Sequence, residues 1–348
     1  MLIGPTLIFD KSTLQSLRIN EAEWLSHHFH LNLIEPLYVE VLGAAGVPDR
    51  KNPIADMASM AEKLLGIVIT TAPNMSHRKL IINNLLGQDV VMNGRIILDN
   101  IQYIRRADGG ITAFQDEPPE IEALRRLARG ELSEREITGI AMLRDFKAMV
   151  DLNRIKEAFD RSSWIASIAT LEDILLVVDR VLNEVGRYRA LRHAMEHFQV
   201  PSCIQRSVLA RWKREGGPRL KDFAPYAYHV LRVDRFFDMG IGSGLIKVND
   251  SNHYIDVMYL YYLPFCEIFS STDKFHRQIV PLFMRDDQRF YWGTDVKDGA
   301  VELTAFYETI SDATRRTGSM NYARLPPKEQ NLWIARVYDD LRPGWRDW

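Results

Sequence analysis

Two short apolar stretches at opposite ends of the chain each run into an aspartate. Thr6-Leu-Ile-Phe9 is followed at once by Asp10, and Phe265-Cys-Glu-Ile-Phe269 leads through Ser-Ser-Thr to Asp273. Apolar runs this short, bounded by turn residues, read as buried strands. A carboxylate delivered at the C-terminal end of such a strand stands where open α/β sheets place their chemistry. The pattern predicts an α/β fold, with one such strand near each end of a 348-residue chain.

The chain is long enough for one large domain or two ordinary ones. A hydrophobic content of 46% and a charged content of 26% suit a soluble globular protein. The two cysteines, Cys203 and Cys266, cannot build a disulfide framework or a Cys-rich zinc site. No apolar run approaches the ~18 residues of a membrane span, and Pro5 and Asp10 interrupt any leader, so a cytoplasmic protein without membrane contact is expected. The formal charge of −2 hides an uneven distribution, because Arg187 to Lys221 holds nine Lys/Arg against two acids.

A second strand is expected at Leu31–Ile34. Asn20 is expected to cap the helix before it, and Pro36 to open a helix carrying Glu40. Helices are expected at Ile54–Leu65 and His77–Leu86, then a hairpin over Val90–Leu98 turning at Asn93-Gly94. Residues 120–239 read as mainly helical. Capping boxes at Ser133–Glu136 and Thr170–Asp173 open helices reaching Phe159 and running toward Phe198. Further helices run from Pro201 to Gly216 and from Phe223 to Met239. Gly240 to Gly244 reads as a linker and Leu245–Val248 as a short strand. Ser251 caps a helix, Asn252–Leu263, that carries Asp256. A helix (Phe275–Met284), a strand-like piece (Arg289–Gly293) and a Trp-rich tail with Trp333, Trp345 and Trp348 complete the chain.

Four acids stand out. Asp10 and Asp273 end strands; Glu40 and Asp256 sit among apolar residues on helices, where burying an isolated charge is costly. Converging carboxylates repel each other by about 4 kcal/mol per close pair at 4 Å and an effective dielectric of 20. A cluster of them persists by binding a cation or by raising pKa values, and all-oxygen ligation suits Mg²⁺ or Mn²⁺.

Strand-Asp10-Lys-Ser, a second strand leading into Glu40, helical Asp256 and strand-Thr272-Asp273 together resemble the PIN-domain nuclease pattern. The matching parts cover roughly residues 1–45 and 240–290. The resemblance implies a Rossmann-like parallel sheet flanked by helices, here split into residues 1–48 and 240–348 by a mainly helical insertion, 49–239. It implies a metal-dependent endonuclease acting mostly on RNA, in the manner of toxins, RNA-processing factors or defence effectors. Asp10, Glu40, Asp256 and Asp273 would hold Mg²⁺ or Mn²⁺, with Ser12 and Thr272 in support.

The basic run interleaves cations with Tyr188, Phe198 and Trp212, as grooves that neutralise phosphates and stack bases do. Arg187, Arg189, Arg192, Arg206, Arg211, Lys213 and Arg214 are its nucleic-acid-binding candidates, with a solvated helix face as the plain alternative. Two other functions remain open. One is a non-catalytic adaptor binding a protein partner through the helical insertion and the Trp-rich tail. The other is a zinc protease, since His193-Ala-Met-Glu-His197 fits the H-x-x-E-H pattern.

Overall fold

The computed structural model describes residues 4–46, 51–66, 72–99, 101–105, 111–115, 119–149, 152–159, 168–247, 253–315, 323, 325–328 and 331–347. Among the described residues seven strands occur in chain order: β1 Thr6–Phe9, β2 His30–Leu33, β3 Ala72–Pro73, β4 Ile101–Arg105, β5 Ile111–Gln115, β6 Ile268–Ser271 and β7 Arg289–Trp292. The first seven helices are α1 Lys11–Ser16, α2 Ile19–His28, α3 Glu35–Gly43, α4 Pro53–Gly66, α5 His77–Leu86, α6 Pro119–Ala128 and α7 Glu134–Met149. Then come α8 Leu152–Phe159, α9 Leu171–Glu184, α10 Arg187–His197, α11 Ser202–Arg214, α12 Leu220–Phe223, α13 Pro225–Gly242 and α14 His253–Leu260. The last four are α15 Lys274–Ile279, α16 Gly293–Glu308, α17 Asp312–Arg315 and α18 Trp333–Leu341. No described helix is long and apolar enough to cross a membrane.

The chain divides into two compact units. One comprises residues 1–74, 93–144 and 265–348, the other residues 75–92 and 145–264. The two chain ends therefore share a unit. The divisions fall elsewhere than 48/49 and 239/240: residues 49–74 and 93–144 fall in the unit that holds the main sheet, and 240–264 in the other.

The first unit is built on a parallel sheet in the order β3-β2-β1-β6-β7, with two-residue β3 extending a four-stranded core. Leu7 pairs with Leu31 on one side and Ile268 on the other, so the N-terminal strand lies centrally beside one from near the C-terminus. Every residue of β1 and β6 is buried, as expected for a parallel sheet covered on both faces. Leu7, Ile8, Ile268 and Phe269 are each at most 1% exposed, and burying side chains of this size contributes about 1.5–3 kcal/mol apiece. On α2 and α16, Trp24 stacks on Tyr307 at 4.1 Å and Glu21 pairs with Lys297. Near the C-terminus, Tyr338 Oη donates to the His28 carbonyl at 2.5 Å, and Trp345 is fully buried.

The second unit is organised around α13, whose buried face includes Val230, Val233, Phe236 and Phe237. Asn84 of α5 fixes the start of α13: its Oδ1 accepts from Tyr226 N at 2.9 Å and Ala227 N at 3.3 Å.

Several expectations change. The strand before Asp273 begins at Ile268, three residues later than expected, because Leu263–Phe265 forms a 3₁₀ turn. The antiparallel hairpin is β4–β5, not Val90–Leu98; in the latter stretch Leu98 makes a lone bridge to Asn74. The helix reaching toward Phe198 is two helices, because Val185 is extended and Gly186 starts α10. The helix expected from Ser133 to Phe159 is seen as α7 and α8, with residues 150 and 151 outside the described residues. Asn20 lies inside α2, whose start is fixed by Glu21 accepting from Arg18 N at 2.6 Å. Gly240 and Gly242 belong to α13 rather than to a linker; a Cβ on Gly240 would fall 2.4 Å from Ile246. Leu245 and Ile246 form no strand. Val248, Ser251, Asn252 and Trp348, part of the expected strand, cap, helix and tail, lie outside the described residues.

Candidate active site at the carboxyl edge of the sheet

All five strands of the main sheet run parallel, so their C-terminal ends share one edge. The chain passes from β1 to β2 on one side, while β6 lies on the other, which puts the reversal of strand order at β1. Ligands of open α/β sheets bind at such a switch point. The residue that follows β1 there is Asp10.

Asp10 is 4% exposed and caps α1, accepting from Thr13 N at 2.9 Å. Ser12 Oγ lies 2.7 Å from both of its carboxylate oxygens, and Ser271 Oγ donates to Oδ2 at 2.6 Å. His276 Nδ1 stands 3.5 Å from Oδ2. Burial pushes the Asp10 carboxyl up, but the bond and charge of His276, the Ser271 hydroxyl and the Thr13 amide outweigh it. The net pKa is lowered below the ordinary carboxylate value, and Asp10 stands ionised.

Ser271, the last residue of β6, joins this group to the second acid. Its hydroxyl gives its proton to Asp10, accepts from Asp273 N at 2.9 Å and lies 3.0 Å from His276 Nδ1. With the serine proton committed to Asp10, Nδ1 of His276 is the donor in that contact. Asp273 caps α15 through Phe275 N at 2.6 Å. Thr272 contributes its backbone, its N–H donating to Ser12 Oγ at 3.0 Å. Gly293, which opens α16 after β7, comes close to both turns: a Cβ there would lie 2.5 Å from Thr272 Cγ2 and 2.7 Å from Thr13 Oγ1.

Asp10, Ser12, Thr272 and Asp273 are thus gathered by one hydrogen-bond network. Glu40 lies on α3 with its side chain 17% exposed and its Oε1 3.9 Å from Lys11 Nζ, the residue after Asp10. Asp256 belongs to the other unit, on α14, where its Oδ2 is 3.5 Å from His253 Nδ1. Sequence reasoning left out Ser271, His276 and Lys11. The visible signal was the density of short hydroxyl residues beside each strand-end acid, in Asp-Lys-Ser-Thr and Ser-Ser-Thr-Asp-Lys.

Mg²⁺ and Mn²⁺ take oxygen donors, and Mg²⁺ is usually held by one or two carboxylates with water and phosphate completing its shell. The carboxylates of Asp10, Asp273 and Glu40 have that chemistry. Among the described residues no group of three or more His, Cys, Asp or Glu is placed to hold a metal ion.

The H-x-x-E-H segment does not make a zinc site. His193 and His197 lie on α10 with ring centroids 6.3 Å apart. Both ring nitrogens of His197 are taken, Nε2 by Asp234 at 2.6 Å and Nδ1 by Arg235 at 2.7 Å.

The basic run divides by environment. Arg211 is a structural residue: its guanidinium donates to the carbonyls of Asn84, Leu85 and Phe223 at 2.9–3.1 Å and lies 4.1 Å from the centre of the Phe223 ring. Arg192 pairs with Glu196 at 2.7 Å, and Arg187 reaches the Gly217 carbonyl at 3.3 Å. Arg189, Arg206, Lys213 and Arg214 are exposed.

The chain matches no protein-family model, no curated protein and no solved structure.

Proposed function

We propose that the protein is a PIN-like nuclease that hydrolyses phosphodiester bonds, in RNA by preference, with Mg²⁺ or Mn²⁺. The observation that carries this reading is that Asp10 and Asp273, which follow adjacent parallel strands at the strand-order reversal, are tied through one hydroxyl, that of Ser271. Asp10 and Asp273, with Glu40 beside the β1–α1 turn, would hold the ion. A bound divalent ion supplies an activated water and neutralises charge on the phosphodiester.

The chain's own residues prepare that chemistry. Ser12, Ser271 and the Thr13 amide fix the Asp10 carboxylate, and His276 keeps it ionised at neutral pH. Lys11 and Lys274 follow the two strand-end acids and bring positive charge to an anionic backbone. Arg189, Arg206, Lys213 and Arg214 provide further phosphate contacts that carry no sequence information. Asp256, the fourth acid, belongs to the other unit, so the reading rests on the three acids of the sheet-bearing unit.

The test is Mn²⁺- or Mg²⁺-dependent cleavage of labelled RNA by the full chain. Asp10→Asn and Asp273→Asn should each abolish cleavage while thermal unfolding stays cooperative. Full activity in both variants would end the proposal.

A second reading, a non-catalytic adaptor, draws on Leu176 and Val181, apolar side chains 65% and 39% exposed on α9. Calorimetric titration with Mn²⁺ separates the two: an adaptor gives no heat that depends on Asp10 and Asp273.

A further inference from the structure

A cavity of about 250 Å³ opens in the second unit, lined by residues of α5, α13 and α14 and by the segment that closes α10. Three features of its lining point to the same kind of occupant.

The first is aromatic. Phe198 and Tyr254 line the cavity together with His77, whose backbone N–H donates to Tyr262 Oη at 2.9 Å and whose ring lies 5.2 Å from that of Tyr261. Flat rings held in place are stacking partners for a nucleobase, whichever base it is.

The second is the charge balance. Asp234 lines the cavity, but its oxygens are occupied, Oδ2 by His197 Nε2 at 2.6 Å and Oδ1 by the Tyr261 hydroxyl. Arg235 donates to His197 Nδ1, which leaves Nε2 as the ring nitrogen that donates to Asp234. Both oxygens of the acid are therefore hydrogen-bonded, while the Arg78 side chain is exposed and has no ion pair or hydrogen bond among the described residues. An uncommitted guanidinium recognises a phosphate through two parallel bonds.

The third is Gln199. Its φ of +49° makes it the one non-glycine residue with positive φ among the described residues. It occupies the left-handed position of a Schellman cap, with Gln199 N bonded to Glu196 O at 3.0 Å and Val200 N to Met195 O at 2.9 Å. Glycine fills that position without strain. Here the chain keeps a side chain whose amide both donates and accepts, and that side chain lines the cavity.

The volume falls below the ~300–1,000 Å³ of sites for drug-sized ligands, so the occupant is a single ring system with its substituent. We propose that this cavity binds one nucleoside monophosphate, with the base against Phe198 and Tyr254, its edge read by Gln199 and its phosphate held by Arg78. The nucleotide comes either free or as one unit of a single strand. The proposal does not rest on the nuclease reading, because no metal ion and no residue of the sheet edge takes part.

The experiment is calorimetric titration of the full chain, without divalent ions, with adenosine, guanosine, cytidine and uridine 5′-monophosphates. Inorganic phosphate, the free nucleosides and a single-stranded trinucleotide serve as further probes. At least one monophosphate should bind, and phosphate or nucleoside alone should bind at least about tenfold more weakly. Arg78→Gln should weaken binding about tenfold or more, the scale of one lost charge-assisted hydrogen bond. Gln199→Gly should weaken it as well, without lowering the melting temperature, because the cap is relieved of strain. Displacement of the mononucleotide by the trinucleotide assigns the ligand to a strand; failure to displace it assigns a free nucleotide. The proposal is overturned if no monophosphate binds, if phosphate alone binds as tightly, or if both variants bind like the parent.

Discussion

The Ser271 hydroxyl donates to the Asp10 carboxylate at 2.6 Å, joining residues 261 positions apart in the chain. The same oxygen accepts the Asp273 N–H and faces His276 Nδ1, so one side chain sets the positions of both strand-end acids. Ser271→Ala leaves Asp10 with less support in a buried site. The expected cost is about 1–3 kcal/mol of stability, measured by urea unfolding. In the nuclease reading the variant also loses about 10–100-fold in activity, as removal of groups that orient metal ligands does.

Gly293 is where the third strand end presses on the other two. Gly293→Ala places a methyl against Thr272 and Thr13, so the turns that carry Asp10 and Asp273 must part. A destabilisation of about 1–3 kcal/mol is expected, together with reduced cleavage. Wild-type stability and activity in this variant would show that the edge is looser than its packing indicates.

Stability should depend on pH through His28, which is 1% exposed, with Nε2 3.0 Å from Tyr307 Oη. Burial, assisted by the charge of His27, lowers its pKa from 6.5 to about 3. The unfolded chain therefore binds a proton that the folded chain refuses. Its stabilising contribution is complete above 6.5 and declines as pH falls toward about 3, at up to about 1.4 kcal/mol per pH unit. His28→Gln, whose amide can still reach Tyr307, should flatten that slope in denaturant titrations between pH 7 and 4. An unchanged slope would assign the acid sensitivity to other groups.

Arg211 and Arg214 stand on the same helix and should behave in opposite ways. Arg211→Ala strips three carbonyls of a charged donor and should cost about 3 kcal/mol, seen as a lower denaturant midpoint. Arg214→Ala should stay within about 0.5 kcal/mol of the parent. If α11 contacts RNA, the same variant lowers the slope of log K against log salt by about one.

The parts of the fold legible in the sequence are those whose cause is local. The capping boxes appear as read, with Thr170 N and Asp173 Oδ2 3.1 Å apart and Ser133 N and Glu136 Oε2 2.7 Å apart. Asp10 and Asp273 each cap the helix that follows them, accepting from amides three and two residues on. Such bonds close within one turn, so residue type and spacing suffice to predict them. Strand β1 and the acid after it follow for the same reason: a short apolar run bounded by turn residues is buried wherever the sheet lies. The start of β6 and the end of α9 depart from the local pattern, because a 3₁₀ turn at Leu263–Phe265 and an extended Val185 are set by packing that no local pattern records.

The sequence by itself determined that two strands end in acids, that a mainly helical region separates them, and that its cations cluster between residues 187 and 221. Only the tertiary structure decided which of these features meet. It made β1 and β6 neighbours, brought Ser271 and His276 to Asp10, assigned Asp256 to the other unit, and turned Arg211 from a candidate phosphate contact into a carbonyl clamp. The physical reason is that a buried charge or carbonyl must be satisfied by whatever group the fold places beside it. That partner is chosen by distance in space, and for Asp10 it lay 261 residues away.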